Sequence, residues 1–361
     1  MNKKLKKENI SGWGGYPVQE ANVVYPKNVE QILIKMKNSD LIARGNGRSY
    51  GDSSINEKNT INMKYLNHII SFDDISGVLV VETGILLNDI IKIFLPKGWF
   101  PYVTPGSKFV TVGGLIAADV HGKNHHKEGS FRNFVEWFEI INSKGEILKC
   151  SKNKNSDLFE WTIGGMGLTG IIIRAAIKLR PIQTSWIKQK TLVAKNIDET
   201  LEIFESNMNA TYSVAWINST KTKHNIGQSL IMLGEHASLE DLDKKDVKSP
   251  LKIKSRKYKN IPFYFPNWFL NKKLIKLFNS IYYFIGKNTS KEKLVYWDDY
   301  FYPLDSILGW NKIYGRNGFV QFQCVIPLDK SKEGLVELLK EIDQSKVCSF
   351  LSVLKRFGDQ K

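Results

Sequence analysis

Three segments of the chain are so rich in glycine that neither a helix nor a flat strand runs comfortably through them. They are "ARGNGRSYGDSS" at 43–54, "PGSKFVTVGG" at 105–114 and "GGMGLTG" at 164–170. Glycine inside a regular element costs roughly 0.5–1 kcal/mol relative to alanine, so these are turns in which backbone N–H groups lie bare. Two of them approach a dinucleotide fingerprint without satisfying it. In the first, three residues rather than two separate Gly47 from Gly51, and the polar "SSINEKNTINM" behind it has no helical apolar stripe. In the third, Gly165, Gly167 and Gly170 match G-x-G-x-x-G, but "IIIRAAIKL" follows, which reads as strand. The fingerprint needs a helix start at that point to receive a pyrophosphate. Glycine turns have a second use, as nests of converging N–H groups that hold an anion without a helix dipole. Arg44, Arg48, Ser49 and Ser53 beside the first turn favour that use over purely structural glycine.

The segments between the turns mix strands and helices without regular alternation. Apolar spacing predicts helices over 28–39 and 86–98, the second stopped by Pro96 and Gly98. Strands are expected at "DLIARG", "GVLVVETG" and "GIIIRAAIKLRP", and a hairpin at Lys144-Gly145 within "FVEWFEIINSKGEILKC". From "RPIQTSW" onward the pattern changes. "YSVAWIN", "GQSLIMLGE" and "GFVQFQCVIP" read as strands, "DETLEIFESNM" and "KEGLVELLKEIDQS" as helices. That suggests an antiparallel sheet with helices on one face. The fold class is therefore α+β, with one domain over 1–180 and a second over 181–361.

A chain of 361 residues with 42% apolar side chains has enough material for such cores, and its formal charge of +16 points to an anionic partner unless the lysines are generic surface filler. Cys150, Cys324 and Cys348 are too scattered for a disulfide framework or a zinc site and read as core thiols of a reducing compartment. No secretory signal or membrane span is legible, so a cytoplasmic location is expected.

Residues 251–293 carry eleven Lys or Arg against the single acid Glu292, with dense aromatics from Phe263 to Phe284. Two arrangements fit: a surface lying on a membrane or over an amphiphilic substrate, or a helical hairpin with its aromatics in the core. Nucleic acid is not expected, because the aromatics cluster rather than forming spaced stacking platforms.

"DVHGKNHHKEGSF" sets His121, His125 and His126 beside Asp119 and Lys123. No metal is expected, since Gly122 and Asn124 disfavour the helix that H-x-x-x-H chelation needs. The alternative is imidazole and ammonium placed against a redox cofactor or a substrate hydroxyl, exchanging protons and stabilising negative charge.

Taken together, "ARGNGRSYGDSS", "PGSKFVTVGGLIAADVHGKNHHKEGSF" and "GGMGLTGIIIRA" resemble the FAD-binding (PCMH-type) domain of the vanillyl-alcohol oxidase superfamily. More narrowly they are similar to its bacterial decaprenylphosphoryl-β-D-ribose 2-oxidase group. "SGWGGYP", "YSVAWIN", "YPLDSILGWNKIYG", "VQFQCVIP" and "CSFLSVLKRFG" extend the likeness over nearly the whole chain.

The resemblance implies a two-subdomain FAD-binding domain followed by a substrate domain. FAD would be held by Ala43, Arg44, Gly45, Asn46, Gly47, Arg48, Ser49, Tyr50, Gly51, Asp52 and Ser53 around its pyrophosphate. Gly106, Thr111, Val112, Gly113 and Gly114 would continue the cradle. Ala118, Asp119, Val120 and His121 would run along the flavin, and Ile171 and Ile172 would hold the adenine end through their backbone. His121 and Lys123 would be catalytic, with Lys123, Trp216, Gln321, Gln323 and Lys355 lining the substrate pocket. Arg48 stands where relatives with covalent flavin often carry histidine, which implies dissociable FAD. The implied reaction is oxidation of a secondary hydroxyl on a polyprenyl-phosphate-linked sugar to a keto sugar, with hydride passing to flavin N5. It would be one half of an epimerisation in cell-envelope glycan synthesis, completed by an NAD(P)-dependent short-chain reductase. Segment 251–293 would make peripheral contact with the inner face of the membrane. The family pattern continues beyond "FGDQK" with a pocket cysteine and lysine that this sequence lacks. The second domain is thus expected to be truncated, and a catalytically incomplete remnant that still binds FAD or membrane is the alternative.

Overall fold

The computed structural model describes residues 7–36, 40–266, 268–289, 292–345, 349 and 351–360. Cys348 lies outside them.

Three sheets follow one another along the chain. The first holds β1 (Lys7–Ser11), β2 (Val18–Val24), β3 (Ile42–Arg44) and β4 (Thr60–Asn62) in the order β1-β2-β4-β3. The first pair is antiparallel; β2–β4 and β3–β4 are parallel. Helix α1 (Val29–Met36) makes the first crossover and buries Ile32 against Ile61, Met63 and Leu66.

The second sheet comprises β5 (Ile69–Asp73), β6 (Val78–Glu82), β7 (Trp99–Pro101), β8 (Val135–Ile141), β9 (Ile147–Ser151) and β10 (Ile171–Pro181), all antiparallel. β10 is its centre, pairing with β6, β7 and β8. Its sequence IIIRAAIKLRP buries most positions on both faces, leaving Arg174, Lys178 and the terminal Pro181 exposed. The expected hairpin forms between β8 and β9, with Gly145 at φ +80 supplying the left-handed turn. Helices α2 (Leu87–Phe94), α3 (Val112–Ala117), α4 (His125–Glu128) and α5 (Ser156–Thr162) complete this part. After α2, Gly98 turns the chain at φ +84, as its place behind Pro96 implied.

The third sheet runs β15-β11-β13-β12-β17, built from β11 (Trp186–Ala194), β12 (Tyr212–Ile217), β13 (Ser229–His236), β15 (Lys293–Tyr296) and β17 (Val353–Leu354), while β14 (Lys259–Asn260) and β16 (Ile307–Leu308) form a separate two-residue parallel pair. Helix α6 (Ile197–Ser206) packs Phe204 on the face bearing Ala194, Ala215 and Ile231, and α9 (Ser331–Gln344) joins it through Leu335 and Leu339.

Three expectations change. The helices of the third sheet are not confined to one face. Helix α7 (Lys272–Asn288) crosses the opposite face, with Tyr282 on Trp216 at a ring separation of 4.8 Å and Gly286 so close to Leu230 that a Cβ would meet its Cδ1 at 2.2 Å. The segment "GFVQFQCVIP" is not a strand. Its alternation is strand-like, but an extended chain needs a ladder partner. Among the described residues 319–327 have none, since β17 occupies the edge beside β12. Cys324 lies on that segment and is exposed, whereas Cys150 is a buried core thiol.

One apolar cluster runs through both halves of the chain. Phe100 and Phe138 from the second sheet and Leu115 from α3 share it with Tyr212, Trp297 and Phe301. The last two belong to α8 (Trp297–Phe301), which is wedged between the halves.

Candidate active site

The three glycine segments meet. Gly45 lies against Thr111, so closely that a Cβ there would sit 2.2 Å from the threonine Oγ1. The Asn46 side chain donates to the Phe109 carbonyl at 2.8 Å. The third segment closes on α3: Gly164 N–H donates to Ile116 O at 3.1 Å and Met166 N–H to Ala117 O at 2.8 Å. It returns to the first through Gly167, whose Cβ position is 3.5 Å from Ile42 Cδ1. Turns more than a hundred residues apart in sequence thus frame one groove.

The frame divides its labour. In the second segment the amides are already engaged: Val112 N–H on Ile85 O, Gly113 N–H on Thr83 O, Gly114 N–H on the Thr111 hydroxyl. These residues shape the wall by close approach. In the first segment, none of the backbone N–H groups from Gly45 to Ser54 donates to protein among the described residues. Gly47 and Gly51 there adopt φ +63 and +62, the left-handed geometry that turns successive amides toward one point. A Cβ on Gly51 or on Gly106 would meet nothing within 4 Å, so both border open space. Arg44 is tied down by Ser11 O and Ser54 Oγ, and the Arg48 guanidinium lies 3.9 Å over the Trp13 ring. Tyr50 packs edge-on against Phe319 at 5.7 Å, Asp52 is exposed, and Ser53 Oγ bonds Tyr50 O. At the far end the Ile172 carbonyl accepts from the Thr83 hydroxyl, and Ile171 and Ile172 are buried in β10. Bare amides, a fixed arginine and unfilled space above glycine suit a dinucleotide pyrophosphate.

From the end of α3 the chain turns through Ala118 and Asp119 toward His121. Asp119 sits at φ +38, and its carboxylate holds this turn by accepting from Arg132 N–H at 3.0 Å. Gly122 is obligatory for packing, because a Cβ would meet Asn124 Oδ1 at 2.5 Å and Thr104 O at 3.1 Å. Residues 121–126 are then pinned from the second half. Ser213 N–H donates to Lys123 O at 2.7 Å, His126 lies 2.7 Å from Ala210 O, and Gly358 N–H donates to His125 Nδ1 at 3.2 Å.

Around His121 the structure gathers residues from four places. Lys355 Nζ is 3.4 Å from its Nδ1, Gln323 Nε2 is 3.3 Å from its Nε2, and Phe357 meets its ring at 4.8 Å. Gln321 reaches the cluster through Gln323, 3.4 Å away. Lys123 Nζ donates to the Tyr300 carbonyl and stands 4.2 Å over the Tyr300 ring. Trp216 does not touch the imidazole. It faces the same side of the third sheet, since its pairing with Val353 puts Lys355 one pleat further along that face.

Enclosure sets the charges. Burial, then the nearby Lys355 and His125 charges, holds the His121 imidazole down to about 4, so it is neutral at ordinary pH. Burial, then Lys355, draws the Lys123 ammonium down to about 7. Burial alone brings Lys355 to about 8. Each keeps part of its surface accessible, as groups lining a concavity do. Among the described residues no His, Cys, Asp and Glu are grouped so as to hold a metal ion.

Sequence reasoning missed Tyr300, Phe301 and Phe357. Phe357 stacks on His125 at 3.9 Å and forms the back of the cluster. "WDDYFYP" and "KRFG" are aromatic and charged together, which was the available signal. It also missed a buried charge cluster joining the second turn to α8. Lys108, fully enclosed, pairs with Asp298, and its own N–H donates to Asp305 at 2.8 Å. Arg256 closes on Asp298 at 3.1 Å.

Comparison with known proteins agrees with this geometry. The FAD binding domain family matches residues 21–151. The decaprenylphosphoryl-beta-D-ribose oxidase of Mycolicibacterium smegmatis is 36% identical over 361 residues, covering 97% of this chain and 78% of that protein. The chain belongs to the decaprenylphosphoryl-β-D-ribose oxidase family. It is an FAD-dependent oxidoreductase of α+β fold, and its cofactor is FAD. Likeness to more distant flavoenzymes stays within part of the chain. Cytokinin dehydrogenase 3 of Arabidopsis thaliana is 32% identical over 190 residues, 46% of this chain and 34% of the relative. D-lactate dehydrogenase of Anaerostipes hadrus is 32% identical over 132 residues, 35% of this chain and 28% of the relative.

Proposed function

We propose that the chain oxidises a secondary hydroxyl of a polyprenyl-phosphate-linked sugar to a ketone, as the first half of an epimerisation in cell-envelope glycan synthesis. Residues 1–180 hold the nucleotide and 181–361 cover the sugar. The observation that carries this reading is the convergence of three glycine turns into one groove ending at the His121, Lys123 and Lys355 cluster. Dissociable FAD, held by the bare amides of 45–54 and by Arg44, supplies the hydride acceptor when bound.

The chain's own groups manage the proton. His121 is too weak a base at about 4 and serves to position, fixed through Nδ1 and Nε2 between Lys355 and Gln323. Lys123, at about 7, is part neutral at neutral pH and is matched to accept the hydroxyl proton. The Tyr300 carbonyl and ring hold its Nζ in place. Lys355, at about 8, keeps its charge under the same conditions and stabilises developing negative charge on the substrate oxygen. Gln321, Gln323 and Trp216 flank the sugar. The keto sugar is a substrate for an NAD(P)-dependent reductase, which the reading requires as a partner. Contact with the inner face of a membrane through 251–293 fits a lipid-linked substrate. Among the described residues no helix is long and apolar enough to cross a bilayer.

The test is anaerobic addition of polyprenyl-phosphoryl ribose to FAD-loaded protein. Bleaching of the flavin's visible band, with keto sugar recovered, is expected. FAD uptake without bleaching leaves only the binding function; folded protein that takes up no FAD overturns the cofactor reading as well.

A further inference from the structure

Segment 251–293 is neither a helical hairpin nor a core element. Among its described residues only one helix forms, and most of the segment's aromatics face out. Phe263, Trp268 and Phe284 are 60%, 73% and 65% exposed. Part of the basic charge is neutralised inside the fold: Lys254 pairs with Asp246, Arg256 with Asp298 and Asp299, and Lys272 with Asp343. Helix α7 itself contains no acidic residue.

At about 3.6 residues per turn, α7 has three faces. Ile275, Asn279, Tyr283 and Gly286 point to the third sheet, and Ile275 and Asn279 are buried. Lys273 and Lys276 lie on one flank, both exposed. Leu274, Leu277, Ile281, Phe284 and Ile285 form a continuous outward arc, with Leu277 57% and Ile281 50% exposed. A long apolar arc beside a purely cationic flank is the signature of a helix lying in the plane of an anionic membrane surface. Tyr282 links the arc to Trp216, and so to the sheet face that carries Lys355.

We infer that the outward arc of α7, with Phe263 and Trp268 before it, docks the protein on an anionic lipid bilayer. This deepens the oxidase reading by naming the surface from which a lipid-linked substrate is drawn. Charge complementarity selects the occupant: an exposed arc flanked by lysine alone repels a second copy of itself and attracts acidic headgroups. The arc lies at the bilayer's interface and does not cross it.

The experiment is co-sedimentation of FAD-loaded protein with phosphatidylcholine vesicles, with and without phosphatidylglycerol. Binding to the anionic vesicles alone is expected, and added salt should release it. Lys273→Gln with Lys276→Gln should weaken partitioning about 25-fold, at roughly fivefold per lysine. Leu277→Asp, Ile281→Asp and Phe284→Asp together should abolish it. All three positions are exposed, so FAD retention and turnover of detergent-dispersed substrate should persist in both variants. Wild-type protein that stays in the supernatant, or a triple variant that sediments equally, overturns the inference, as does an arc shown by concentration-dependent sedimentation to be a dimer interface. Because sedimentation is read without substrate, its failure leaves the oxidase reading standing, and loss of flavin bleaching leaves the docking standing.

Discussion

Lys355 Nζ lies 3.4 Å from His121 Nδ1, although 234 residues separate the two. The contact couples the His121 imidazole to the last described segment of the chain. It also sets the charge of the site, because Lys355 depresses both His121 and Lys123.

That coupling fixes the pH profile. Lys123 must be neutral to take a proton, so kcat/KM should rise as pH climbs through about 7. Lys355 must be charged to stabilise the oxygen it leaves, so kcat/KM should fall above about 8. A narrow bell is expected from stopped-flow flavin reduction across pH. Lys355→Met should remove the alkaline limb, and it relieves Lys123 of a neighbouring charge that lowers it. The Lys123 limb itself then moves upward, which separates the two groups in one titration. Lys123→Ala should lower the reduction rate by roughly 10²–10⁴-fold with FAD still bound.

Stability should respond in the same window. In the unfolded chain both lysines keep their protons to about the ordinary 10.5, whereas in the folded chain they release them near 7 and 8. The unfolded state therefore binds more protons from about 7 up to about 10.5, and folding stability rises with pH across that range. Urea melts of the FAD-free protein should show that rise, flattened in Lys123→Met with Lys355→Met. A stability that falls over this range contradicts the enclosure of the two ammonium groups.

Two glycines should separate framework from slot. Gly45→Ala drives a methyl into Thr111 and should cost about 1–3 kcal/mol in the FAD-free protein. Gly106→Ala meets no protein atom within 4 Å, so it should leave that stability unchanged while weakening FAD binding. Thermal melts of both forms and a fluorescence titration with FAD distinguish them.

The Lys108–Asp298 pair should behave as a buried lock. Lys108→Met leaves Asp298 with Arg256, at 3.1 Å, and Asp298→Asn leaves Lys108 without a carboxylate on its Nζ. The second change should cost more, about 3–5 kcal/mol, because it strands an enclosed ammonium. Equal losses in chemical denaturation would place the stabilisation in packing rather than charge.

Much of this protein was written locally. The glycine turns, the 135–151 hairpin and the burial of β10 follow from backbone freedom and from which side chains shun water, and both act over a few neighbouring residues. The resemblance of "HGKNHH" to its family was likewise visible in one stretch. Residues 319–327 read as strand from their alternation and are not, because a strand is defined by a partner that the alternation does not name. Tyr300 and Phe357 carried no motif of their own. The sequence alone determined where the chain bends and which stretches carry the family's motif. Only the tertiary structure decided that Gly45 meets Thr111, and that Lys123 and Lys355 lose water until their protons become mobile near neutrality. Desolvation depends on how closely remote segments pack, and no local pattern encodes that.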